Sequence, residues 1–122
     1  MPRSLFYAFL GIMLLGLALY ITRAFVGGVR VGERDTGQEV QKLTGHQHLV
    51  TSVAVTPDGR YIVSGSDDKT VRVWERDTGK EVQKLTGHHD WVTSVAVTPD
   101  GRYIVSGSLD RTVRVWSIDK LK

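Results

Sequence analysis

The chain of 122 residues contains no cysteine. This excludes disulfides, a cysteine-based zinc site and a thiol nucleophile, and it leaves the compartment open. Acidic residues are missing from the first 32 positions, whose only charged side chains are Arg3, Arg23 and Arg30. The remaining 90 residues carry 13 bases and 13 acids, so the whole net charge of +3 belongs to the N-terminal stretch. A basic balance ordinarily suggests nucleic acid as a partner, but the neutral character of residues 33–122 removes that inference and predicts none. No Gly-rich phosphate loop with a Lys-Ser/Thr sequel is present. No Gly-x-Ser-x-Gly elbow is present either. The length excludes a large multidomain enzyme, and helical periodicity is missing after residue 32.

What is present first is an uncharged run. Ser4 to Thr22 is 19 residues without a charge and includes Leu5, Phe6, Phe9, Leu10, Ile12, Met13, Leu14, Leu15, Leu17, Leu19 and Ile21. As a helix it would span roughly 28 Å, close to the hydrocarbon thickness of a bilayer. Tyr7 and Tyr20 stand near its ends, where amphipathic rings prefer the interface. Gly11 and Gly16 would allow close helix packing, although GxxxG spacing is absent. The expectation is a transmembrane helix and membrane anchor over residues 1–26, touching lipid through residues 4–22. Two alternatives are a cleaved signal peptide and a buried core helix. The available cleavage sites, Thr22-Arg23-Ala24 and Val26-Gly27-Gly28, are poor ones. The positive-inside rule leans towards a cytoplasmic C-terminal part, with Arg23, Arg30 and Arg34 following the run and Arg3 before it.

Beyond the run the chain repeats itself. Glu33–Trp74 aligns without a gap on Glu75–Trp116, a period of 42, and 36 of the 42 positions are identical. A period in the forties indicates a propeller or solenoid unit. Val29-Arg30-Val31-Gly32 resembles Val71-Arg72-Val73-Trp74, so residues 27–38 read as a linker with a truncated repeat remnant and residues 39–122 as two repeats.

Each unit reads as four short strands. Val50–Val55 is rich in β-branched residues and ends at Pro57-Asp58-Gly59, a strong turn signal. Tyr61–Ser64 and Val71–Trp74 follow, separated by the Asp67–Thr70 turn, and Glu81–Leu85 is the fourth. Named in chain order from Gln38, the strands run d, a, b, c, d, a, b, c.

These residues carry a resemblance. Gly45-His46, Ser64-Gly65-Ser66, Asp68 and Trp74 recur in order as Gly87-His88, Ser106-Gly107-Ser108, Asp110 and Trp116. The pattern resembles WD40 repeats over residues 33–116, departing from it in Trp74-Glu75 and Trp116-Ser117, where the family has Trp-Asp. The resemblance implies an all-β fold of WD40-type propeller blades: two four-stranded units in an incomplete propeller, beside the one N-terminal transmembrane α-helix. It also implies that His46, Ser64, Asp68 and Trp74, and again His88, Ser106, Asp110 and Trp116, form a hydrogen-bonded structural tetrad inside each blade. In the family an N-terminal d strand often closes the ring. Gln38–Leu43, expected to lack a, b and c strands of its own, would then complete the last blade of a neighbouring copy. That heterologous contact would give a ring of roughly three or four copies. Near-identical repeats resemble those of bacterial WD40 proteins, which points to a bacterial source.

His, Ser and Asp together also suggest a hydrolase. Two copies at identical spacing speak for packing instead, because a catalytic triad needs one nucleophile in an open pocket. His46-x-His48 and His88-His89 do not suffice for a metal, which wants three or four converging ligands. No catalytic residue, cofactor or metal is therefore expected. The differences between the units are more informative. Five of six fall in two loops on one face, at Gln47/His89, His48/Asp90, Leu49/Trp91, Asp67/Leu109 and Lys69/Arg111, and the sixth is Gln38/Lys80. These ten loop residues are the candidate partner-binding face, with Trp91 the best anchor and Leu109 next. Neutral drift in permissive loops would give the same pattern. The expected function is a membrane-anchored, non-enzymatic binding scaffold for a protein partner. The alternative is a small single-pass accessory subunit of a larger membrane complex, docked through helix residues such as Phe9, Gly11 and Gly16.

Overall fold

A computed structural model describes residues 19–25 and 28–118, with side chains from residue 28 onwards. Among the described residues all ten elements are β-strands: β1 (Leu19–Phe25), β2 (Gly28–Glu33), β3 (Glu39–Leu43), β4 (Val50–Val55), β5 (Tyr61–Ser66), β6 (Val71–Glu75), β7 (Glu81–Leu85), β8 (Val92–Val97), β9 (Tyr103–Ser108) and β10 (Val113–Ser117). They form three antiparallel sheets in the orders β1-β2-β3, β4-β5-β6-β7 and β10-β9-β8. The complete blade is the central one.

This corrects three expectations. There is one four-stranded sheet flanked by two three-stranded sheets, rather than two four-stranded units. The central sheet is the expected unit of strands a, b, c and d, and the third has no d strand among the described residues; the unexpected sheet is the first, in which β1 and β2 stand as strands b and c ahead of β3. β3 is accordingly not a lone strand. It pairs with β2 in the register Val29↔Leu43, Arg30↔Lys42 and Val31↔Gln41, which repeats that of β6 with β7 at Val71↔Leu85, Arg72↔Lys84 and Val73↔Gln83. It is paired within its own chain, where the expectation had it free for a neighbour's blade. Residues 28–33, expected in a linker, are the middle strand of the first sheet.

The third correction concerns the membrane segment. Residues 4–18 lie outside the described residues, but Leu19–Thr22, the end of the expected helix, belong to β1. β1 pairs with β2 at Leu19↔Glu33, Tyr20↔Gly32 and Ile21↔Val31, one period before Tyr61↔Glu75, Ile62↔Trp74 and Val63↔Val73. The end of the run therefore takes the place of strand b. Among the described residues no helix is long and apolar enough to cross a membrane.

Alternation along the strands builds two cores. Val53, Val55, Ile62 and Trp74 of the central sheet face Val29, Val31 and Leu43 of the first. Ala54, Tyr61, Val63, Val71 and Val73 point the other way and meet Val92 and Ile104 of the third sheet and Ile118 just after it. A sheet covered on both faces reads as continuously buried, and every residue of β5 is buried. Its sequence twin β9 is covered on one side, and alternates partly buried with buried positions. The sheets approach closely. A Cβ on Gly65 would stand 2.6 Å from the Val92 side chain, and the Thr51 hydroxyl donates to the Val92 carbonyl across the junction.

Candidate functional site

The tetrad residues come from three places in each of the two blades that carry them. His46 precedes β4, Ser64 and Trp74 lie on the paired strands β5 and β6, and Asp68 sits in the turn between them. Trp74 Nε1–H donates to Ser64 Oγ at 2.8 Å. His46 Nε2 lies 2.6 Å from the same hydroxyl, and His46 Nδ1 lies 2.8 Å from Asp68 Oδ2. A carboxylate only accepts, so Nδ1 carries the proton and Nε2 accepts from Ser64. The third sheet repeats the chain, with His88 2.8 Å from Asp110, 2.7 Å from Ser106, and Trp116 donating to Ser106 at 2.8 Å. Glycine before each histidine has a steric reason: a Cβ on Gly45 would stand 3.0 Å from the Trp74 ring, and one on Gly87 3.2 Å from Trp116.

The order of proton donation from Ser64 through His46 to Asp68 is that of a serine hydrolase. Ser64 and Ser106 are nevertheless 0% exposed, and each also accepts a tryptophan N–H. A nucleophile needs an approach path and a site for the reacting carbonyl. A buried hydroxyl held by two partners has neither, and the chain of bonds instead satisfies polar groups inside each blade.

Sequence reasoning missed two participants. Thr70 Oγ1 donates to Asp68 Oδ1 at 2.5 Å and lies 3.4 Å from His46 Nδ1. Arg72 is buried, donates to Glu81 at 2.8 Å and stands 3.5 Å from Asp68. Both positions are identical in the two units, Thr112 and Arg114 being the counterparts. Their spacing of two and four residues from the aspartate was the available signal. Burial alone would push the Asp68 carboxyl up. The bonds from His46, Thr70 and the Gln47 amide outweigh it and hold the group far below the usual carboxylate range. Asp110 is held low as well, first by the Thr112 hydroxyl.

The divergent positions lie at one end of the strands. The Asp67 amide donates to the Leu49 carbonyl at 2.9 Å, and the Leu109 amide to Trp91 at 3.0 Å, so both loops of each unit are tied together. Gln47, His48, Leu49, Lys69, His89, Trp91, Leu109 and Arg111 are exposed, and Asp67 and Asp90 half-buried. Lys69 and Arg111 adopt left-handed backbone at φ 73° and 70°, a region uncommon for non-glycine residues. A cleft of 350 Å³ joins the two units at this end. It is lined by Gln47, His48, Asp67, Asp68 and Lys69 of one and Trp91 of the other. Leu49, His89, Asp90, Leu109 and Arg111 are outside its lining. Burial raises the Asp67 carboxyl above its ordinary value, His48 offsetting part of the effect. Among the described residues no cluster of three or more His, Asp or Glu could hold a metal.

Antiparallel blades, of which the central and the third are each pinned by an internal His–Ser–Asp–Trp chain, define a β-propeller repeat protein. Residues 37–75 and 79–117 match the WD domain, G-beta repeat family, and the chain belongs to that WD40 family. It is similar to small ribosomal subunit protein RACK1 of Caenorhabditis elegans, with 46% identity over 41 residues, or 34% of this chain and 13% of that protein. It is similar to nuclear distribution protein PAC1 of Scheffersomyces stipitis, 51% identical over 35 residues, or 29% and 7% of the two chains. Ribosome assembly protein 4 of Saccharomyces cerevisiae is 56% identical over 32 residues, or 26% and 6%. The chain thus spans 13% or less of the length of these relatives. WD40 repeats are scaffolds for protein–protein interaction, and this chain is a WD40 repeat protein.

Proposed function

We propose that the chain is a non-enzymatic binding module whose loop face captures a protein partner, with Trp91 as the anchor. The observation that carries this is the cleft between the units: it gathers divergent positions of both repeats around a tryptophan that is 49% exposed. Aromatic residues with one face open are favoured at interface centres. Affinity capture with three forms of the full chain tests the proposal. A partner held by the unaltered chain is lost with Trp91→Ala, by tenfold or more at about 2 kcal/mol for such an anchor. It is retained with Asp100→Asn at the opposite end of the strands. Retention by Trp91→Ala together with loss by Asp100→Asn would refute it.

Attachment to a membrane belongs to the same proposal, supported by the uncharged residues that precede β1. With Leu19 onwards in a sheet, Ser4–Ala18 leaves 15 such residues. As a helix these measure about 22 Å, less than a full span. The full chain is expected to stay with membranes under alkaline extraction, and its release into the supernatant would remove the anchor. An accessory subunit docked through this segment is the second form of the same reading.

A further inference from the structure

Position 67 is used differently in the two units. Its backbone makes the same bond in both: the Asp67 amide donates to the Leu49 carbonyl, and the Leu109 amide to that of Trp91. The side chains do not correspond. Leucine stands at 109 and is 54% exposed, so the turn folds without an acid. Asp67 is half-buried in the lining of the 350 Å³ cleft, and its Oδ1 is enclosed with no hydrogen-bond partner. A carboxylate oxygen shielded from water and left unpaired costs stability. The surroundings do not make this good. His48 offsets the burial only in part, and the neighbouring Asp68 adds to it. Asp68 itself is committed to His46, Thr70 and the Gln47 amide. Asp67 is therefore a charge that the fold tolerates and does not use. The Trp91 ring, 49% exposed, lines the same cleft.

We infer, resting on the loop face as the partner-binding surface, that the cleft seats an arginine side chain of the protein partner, its guanidinium held by the Asp67 carboxylate and laid against the Trp91 ring. A half-desolvated carboxylate beside an open indole is complementary to this group. A guanidinium is a planar cation that pairs with a carboxylate through parallel N–H bonds and stacks on tryptophan. Its charge neutralises both oxygens of Asp67, since the two share one charge by resonance. A purely apolar anchor would fill the cleft but leave the carboxylate deeper and still unpaired. Lys69 lines the cleft as well. The docking segment therefore presents one arginine and not a run of bases, which Lys69 would repel.

The probe is a capped pentapeptide, Gly-Gly-Arg-Gly-Gly, whose guanidinium is its one charge, titrated into the isotope-labelled full chain. Saturable shifts of the Trp91 indole N–H and of the Asp67 and Lys69 amides are expected. Citrulline in place of the arginine keeps the shape, removes the charge and weakens binding about tenfold or more. Asp67→Leu in the protein does the same and leaves the fold intact, since position 109 already carries leucine. The citrulline peptide keeps the test valid should that variant fail to fold. Absent saturation, equal binding of the citrulline peptide, or insensitivity to Asp67→Leu would overturn the inference. In the affinity capture above, a partner lost with Trp91→Ala but retained with Asp67→Leu would overturn it and leave the loop face standing. Retention with both would overturn the loop face as well. Methylguanidinium binding more tightly than the peptide would assign the cleft to a free small cation, and a dimer of the chain that the peptide dissolves would assign it to a second copy; either overturns the inference.

Discussion

Trp74→Ala is expected to remove about 3–5 kcal/mol of stability, whereas the identical change at Trp116 removes roughly half as much or less. The two residues occupy the same place in sequence units that differ at six positions of 42. Sequence alone would assign them equal weight. Their surroundings differ. Trp74 is 1% exposed and closes the first core against Val29, Val31 and Leu43. Trp116 is partly buried and packs against the rim of the second core. The cost of truncating a side chain follows the atoms removed and the cavity left behind, so the covered ring costs more.

For a small domain, with total stability of about 5–15 kcal/mol, a loss of this size removes a large share of the total and leaves the fold marginal at the lower end of that range. Urea titrations followed by far-ultraviolet circular dichroism would measure both variants. Trp74→Phe keeps an aromatic ring but loses both the bond to Ser64, at about 1 kcal/mol, and the packing of the larger indole, so its cost should lie between that figure and the loss from Trp74→Ala. Equal losses at positions 74 and 116 would show that the flanking sheets contribute little to the central one.

The repeat, its strands and the tetrad residues were legible because each rests on local signals: a fixed period, β-branched runs and turn residues at constant offsets. Two features were not legible because they depend on pairing between distant segments. The first is β1. An uncharged apolar run satisfies the pattern of a membrane helix, and apolar character alone does not separate a span from a strand. Extending the 42-residue shift past Val29 would have set Leu19-Tyr20-Ile21 beside Tyr61-Ile62-Val63, which is where the register places them. The second is the division into sheets. The order d, a, b, c was readable, but that β1 and β2 supply strands b and c ahead of Gln38–Leu43 is decided by their pairing, which turned an expected donor strand into the outer strand of the first sheet. At the candidate face, the alternation of loops placed the divergent residues at one end. It could not show that Trp91 of one unit reaches the cleft of the other while Leu109 does not.

The second large effect lies at Asp68, and it is tied to pH. Its carboxylate accepts from His46 at 2.8 Å, from the Gln47 amide at 3.1 Å and from the Thr70 amide at 2.9 Å, with Arg72 at 3.5 Å. Burial opposes the charge, and the donors more than compensate, so the folded pKa is depressed. A depressed acid stabilises the fold above its unfolded pKa of about 3.9, and that contribution is lost as the pH falls towards the lower folded value. The midpoint of urea unfolding should therefore be level down to about pH 4 and fall steadily below it.

Asp68→Asn removes that acid-dependent loss and lowers stability at neutral pH by about 2–3 kcal/mol. The reason lies in the direction of the hydrogen bonds. An asparagine that offers its N–H₂ to His46 Nδ1 moves the imidazole proton to Nε2, which then donates to Ser64. Ser64 already accepts from Trp74, and its own hydroxyl hydrogen is left without an acceptor in a fully buried position. An asparagine turned the other way keeps that order but gives up the charge that Arg72 faces. Asp77→Asn, at an exposed turn with a side chain 76% accessible, should change neither the midpoint nor its slope with pH. If Asp68→Asn kept the acid slope of the unaltered chain, the acid sensitivity would lie with Asp110 or the turn carboxylates Asp58 and Asp100. The tetrad of the central blade would then be a packing element, with its charge of little consequence.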